Sequence, residues 1–265
     1  MVSGPLQMSN YEHLLGGYDA TNWTRDIKAN PTIIDASVAA NGVASHVALR
    51  FSSVRDSVLD GFTVTGANSI GTTAIGGAGI TCSSANSTTA IRNCTITGNS
   101  SNANGSGGIV LISSNIRITD CIIAGNVSLG EAGGIEVASS SRPLIERCLI
   151  SGNSSQVGGA ITVRGSTSSP KFVNCVISGN SAGSSNGGAF LFSGATTTIA
   201  NCTIADNDAA SGGGAARTSG TVHFINSVFS GNRNYALSDL GTGVGFYLEN
   251  CLFSDNPEGD IYRDN

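Results

Sequence analysis

The chain has 265 residues, a net charge of −5, and 36 glycines beside only 12% charged and 6% aromatic residues. With an acidic balance and no Lys/Arg cluster it lacks the basic stripe that nucleic acid requires, and no window of about 18 consecutive apolar residues offers a transmembrane segment. A compact globule needs more aromatic mass than this, whereas small, β-branched and turn-forming residues suit a stack of coils.

The opening MVSGPLQMSN has neither the charged nor the apolar region of a signal peptide. Residues 1–30 are expected to form an N-terminal cap, and residues 31–265 a single repeat domain. Leu59, Phe62 and Val64 carry the first complete inward pattern. From there a beat sets in: Cys94, Cys121, Cys148, Cys175 and Cys202 are each 27 residues apart, and Ser227 and Cys251 continue it. Each sits in one phrase, written NCTITGN, DCIIAGN, RCLISGN, NCVISGN, NCTIADN, NSVFSGN and NCLFSDN. A fixed period of this size marks a solenoid whose repeats each form one coil.

One coil can be read from GGAITVRGSTSSPKFVNCVISGN, residues 158–180. Ile161 and Val163 alternate with Thr162 and Arg164 on a first strand, Phe172 points inward on a second, and Cys175 and Ile177 point inward on a third. Gly165 to Pro170 and Gly179-Asn180 supply the turns. Three short strands per coil predict an all-β, right-handed parallel β-helix of about eight coils and three sheets, about 38 Å long at ~4.8 Å per coil. Inward columns follow, such as Ile91, Ile118, Ile145, Phe172 and Ile199, or Ile96, Ile123, Ile150, Ile177 and Ile204. The cysteines share that inward phase, so a ladder of free, buried thiols is expected rather than a disulfide framework. The corner row Asn93, Asp120, Arg147, Asn174, Asn201, Asn226 and Asn250 suits left-handed backbone with amides stacked along the axis; the row from Asn99 to Asn256 is read as a turn device.

The phrases GNSSQVGGAI, GNSAGSSNGGAF, FSGN and FSDN resemble the paired FxxN and GGA[ILV] repeats of chlamydial polymorphic outer membrane proteins, a style shared by pectin-lyase-like bacterial surface proteins. The segment LGGYDATNWTRDIKANPTIIDAS is similar to the opening segments of large secreted β-helix proteins. The resemblance implies an extracellular or cell-surface location.

Sugar-cleaving β-helices use clustered carboxylates with Lys, Arg or calcium on one outer face. The positions after each Gly-Gly pair that should face outward include Glu136, Arg164 and Arg217, the candidates for carbohydrate contact. Glu136 and Arg164 fall diagonally on adjacent coils, as a surface ion pair or as an acid and a substrate clamp. No second carboxylate falls near them by register. Asp255, Glu258 and Asp260 are a calcium candidate near the C-terminus, with a solvated acidic turn as the alternative; His13, His46 and His223 lie too far apart in register for a metal cage or a triad, and no cofactor is implied. Behind each Cys runs an outward apolar row that includes Ile122, Leu149, Val176, Val228 and Leu252, a stripe that suits packing against another chain. Ile261 and Tyr262 begin a further coil with nothing to close it. The open strand edge predicts either continuation in a longer protein or docking on another subunit, head to tail. Two functions are therefore carried forward: a non-enzymatic, adhesin-like scaffold that self-associates or binds a polysaccharide or another surface protein, and a carbohydrate-active enzyme or polysaccharide-binding module of the pectin-lyase-like type.

Overall fold

The computed structural model describes residues 5–37, 46–70, 79–102, 105–184, 187–239 and 245–263. The chain is an all-β parallel solenoid of about 8 turns. One sheet has ten strands and two have nine, and in each the neighbours come from successive coils. Every pairing between named strands is parallel, and the first sheet aligns Leu49, Ile80, Ile109, Ile135, Ile161 and Phe190. The second aligns Leu59, Ile91, Ile118, Ile145, Phe172 and Ile199, and the third Val64, Ile96, Ile123, Ile150, Ile177 and Ile204. These side chains are fully buried and fuse into one continuous core. Burying each stabilises the coil by about 1.5–3 kcal/mol, and the column repeats that contribution along the axis.

The predicted cap segment contributes strands of its own. Leu6–Met8 pairs with Leu49–Ser52 in the first sheet, and His13–Leu15 with Val58–Asp60 in the second. The chain then makes an excursion held by Arg25, whose Nε donates to the Gly16 carbonyl at 2.9 Å and whose Nη2 meets Asp60 at 2.6 Å. Asp60 is almost completely buried and also receives Arg92 (2.8 Å) and the Asn93 side-chain amide (2.9 Å). Two guanidiniums and an amide thus fasten the first coil to the second.

Corners follow from residues that accept left-handed backbone. Asn93, Asp120, Arg147, Asn174, Asn201, Asn226 and Asn250 all have φ between +50 and +56°. The anticipated amide stacking on this row occurs at its C-terminal end, Asn226 to Asn201 and Asn250 to Asn226, both 3.2 Å and exposed. The stronger ladder is the other row. Asn99, Asn126, Asn153, Asn180, Asn207 and Asn232 are buried, each following a left-handed Gly or Asp. Each donates its side-chain amide to the next coil's Asn oxygen at 2.9–3.3 Å. Each also donates to a carbonyl of the preceding coil. The turn device is also a saturated hydrogen-bond spine through the wall of the solenoid.

A fourth, five-stranded sheet joins the predicted three. Its two-residue strands include Ser100–Ser101, Val127–Ser128 and Ser154–Ser155, directly after the Asn spine. The Gly-Gly pairs make room for it. A Cβ on Gly133 would meet Ser154 N at 2.5 Å and Gly159 O at 2.6 Å, so close approach of backbones, rather than turn freedom, requires glycine there.

Candidate functional site

The short fourth sheet and the loops beside it change the outer face of the first sheet. Val110, Glu136 and Thr162 point away from the core, yet they are 2%, 5% and 0% exposed. They lie under cover instead of on an open outer face, because the chain leaving each Asn rung folds back over them before re-entering the first sheet. Thr162 Oγ1 donates to the Glu131 carbonyl at 3.0 Å.

Glu136 and Arg164 do pair, through Nη2 and Oε1, and a residue that strand register did not place joins them. Glu131, in the turn before the Gly133-Gly134 pair, meets Arg164 Nη1 at 2.6 Å. Ser106 Oγ donates to the second Glu136 oxygen at 3.1 Å. A second carboxylate therefore stands beside the predicted pair. Burial raises the Glu131 carboxyl above its ordinary value against the pull of Arg164, and the nearby Glu136 charge adds to the rise. The arrangement is a guanidinium fork gripping two carboxylates at once, with each of its two terminal nitrogens engaged. Chemically it can hold the covering turn to the sheet; both carboxylates would have to leave Arg164 to act on a substrate.

Arg217 is placed elsewhere, in the same outward column but near the C-terminal end. That column reads Leu191, Arg217, Ser238, Tyr262 on successive coils. The covering sheet ends at Asp208–Ala209, and the register shifts between Gly213 and Ala216. Uncovered, and with a small serine between arginine and tyrosine, the column opens into a cleft of about 380 Å³ lined by Ser211, Arg217, Asn234, Tyr235, Ser238 and Tyr262. The two tyrosine rings lie 5.0 Å apart, tilted by 31°. The Arg217 Nε is buried with no hydrogen-bond partner.

The apolar row of the third sheet is in register from Ile33 through Thr63, Thr95, Ile122, Leu149, Val176, Thr203 and Val228 to Leu252. Ile122, Leu149, Val176 and Leu252 are 43%, 38%, 42% and 59% exposed, and Val228 is half-buried. Asp255, Glu258 and Asp260 do not converge: among the described residues no group of three or more His, Cys, Asp or Glu side chains is arranged to hold a metal ion. Asp260 instead accepts the Asn256 amide at 3.0 Å. His223 stacks on Tyr247 at 4.7 Å on the second sheet. The seven cysteines are free thiols, six of them buried. Cys121 donates to the Thr119 carbonyl at 3.2 Å, and Cys148 to that of Glu146 at 3.3 Å. Burial pushes the Cys82 thiol far above its ordinary value, and the neighbouring Cys148 and Cys94 sulfurs, with burial, do the same to Cys121. Cys82 and Cys121 are therefore inert core groups. No helix among the described residues is long and apolar enough to cross a membrane.

No curated protein and no solved structure matches the chain. The family model described as "Right handed beta helix region" matches residues 28–216, well over half of the sequence and the repeats from Cys94 to Cys202. With coils in register, a buried asparagine spine and this match, the chain belongs to the right-handed β-helix family.

Proposed function

We propose that this chain is a non-enzymatic β-helix scaffold of the extracellular space or cell surface, adhesin-like in the manner of the polymorphic outer membrane proteins that its repeats resemble. The observation that carries this reading is the in-register outward row of the third sheet, which leaves Ile122, Leu149, Val176 and Leu252 exposed. Ile122, Leu149 and Val176 on three successive coils, with Val228 and Leu252 after Thr203, suit contact with a second copy or another surface protein. The state of the acids supports the same reading: Glu131 and Glu136 are both engaged by Arg164, so the chain's nearest carboxylates on the outer face are used in construction.

The test uses exposed positions only. The chain is coupled to beads and assayed for bead–bead association and for attachment to cell-surface protein. The triple variant Ile122→Lys, Leu149→Lys, Val176→Lys should melt within a few degrees of the parent and lose attachment. Attachment unchanged in that variant overturns the reading.

A further inference from the structure

The cleft beside Arg217 holds the chain's most conspicuous unused group. A guanidinium offers five donors in a fixed fork, and the Arg217 side chain makes no hydrogen bond or ion pair with any described residue. The contrast with Arg164 is direct. Two coils earlier, in the neighbouring outward column, that arginine is gripped by two carboxylates. A buried donor without an acceptor is costly and calls for an explanation, and a bound ligand is one that fits a group lining a cleft.

The rest of the lining says what could arrive. Arg217 is the one charged side chain among the described residues that line the cleft, so the complement is a single negative charge. Tyr235 and Tyr262 offer aromatic faces against a flat or ring-shaped body. Ser238, one coil from each, keeps the floor low, and Arg217 and Tyr262 stand about 9.6 Å apart along the axis at two strand spacings. About 380 Å³ lies at the small end of ligand clefts.

We propose that this cleft is a binding site for a small ring compound bearing one carboxylate. The carboxylate sits on the Arg217 fork and the ring lies against Tyr235 and Tyr262. The inference goes beyond the scaffold reading and stands without it, since it concerns a site within one chain at the end remote from Ile122 and Leu149.

A sugar acid and an aromatic acid share this chemistry, and calorimetric titration with glucuronate and with 4-hydroxybenzoate separates them. Glucose and acetate are controls that lack the charge and the ring. At least one of the two acids should bind, more tightly than either control. In Arg217→Gln the affinity should fall about ten-fold or more, as expected for a lost hydrogen bond to a charged group. Arg217→Lys, which keeps the charge but not the fork, should fall between them. Ser238→Leu fills the gap while leaving Arg217 in place and should abolish binding, which guards against an Arg217 variant that merely misfolds. Binding by glucuronate alone assigns the site to sugar acids, and binding by 4-hydroxybenzoate alone to aromatic acids. The proposal is overturned if neither acid binds, if glucose binds as tightly as glucuronate, or if Arg217→Gln and Ser238→Leu both bind like the parent.

Discussion

Replacing Asn153 by alanine removes one rung from the middle of the spine, and the structure states the cost. The side chain makes four hydrogen bonds between coils: it donates to Ile123 O at 2.8 Å and Asn180 Oδ1 at 3.0 Å, and accepts from Asn126 N and Asn126 Nδ2, both at 3.1 Å. Alanine leaves two Asn126 donors buried without that acceptor. At about 1–3 kcal/mol for each, the loss should be roughly 2–6 kcal/mol. The corner residue Asn174 is the control. It is exposed, has φ +55°, and its alanine variant should lose only the left-handed preference, about 1–2 kcal/mol. Urea unfolding followed by far-UV circular dichroism measures both. A loss in Asn153→Ala no greater than in Asn174→Ala would refute the idea that the buried row, rather than the corner row, ties the coils together.

Further outcomes follow from the same geometry. In the folded protein a thiol reagent should reach Cys251, which is only half-buried, and react very slowly with the other six; under non-reducing denaturation most of the seven should titrate. Ile150→Asp and Thr162→Asp should both be severe, by more than about 3 kcal/mol, because each forces an unpaired charge into a fully buried position; a mild Thr162→Asp would mean that the covering layer is absent. Asp60 should contribute to acid unfolding. Burial alone would raise its carboxyl, but hydrogen bonds from Asn93, Arg25 and Arg92 outweigh that and hold it below 3.8. A depressed folded value stabilises above the unfolded one and is lost as pH falls through the folded one, so Asp60→Asn should flatten the stability curve below about pH 4; an unchanged acid limb contradicts it.

Most of the coil was legible because its inward positions repeat. A 27-residue count placed Ile91, Ile118 and Ile145 on one wall, and Cys121 and Cys148 beside them, before any contact was known. The covering sheet was not legible, since strands as short as Val127–Ser128 carry no periodicity and their serines read as turn. Without that sheet Thr162 looked solvent-facing, when it is fully buried. Where both rows carry asparagine, as at Asn174 and Asn180, the residue type does not tell them apart. What separates them is local: the corner row precedes the inward Cys and points out, whereas Asn153 follows a left-handed Gly152 that turns its amide into the wall. Glu131 escaped because it sits in a turn where no strand register applies, although the Gly133-Gly134 pair just after it marked a close backbone approach. The cleft arises where the count itself breaks. Arg217 pairs with Ser238, only 21 residues on, across the shift at Gly213 and Ala216, so no column drawn at 27 brings Arg217, Ser238 and Tyr262 together.

The scaffold account is tested most directly by turnover. The purified chain, incubated with a panel of acidic and neutral polysaccharides, would be followed for new reducing ends and for unsaturated sugar products. The account predicts no product beyond that of Glu131→Gln, Glu136→Gln and their double variant, because both carboxylates serve Arg164 and the covering turn. Sustained product release by the parent chain, lost when either glutamate is replaced while the fold persists, would contradict it.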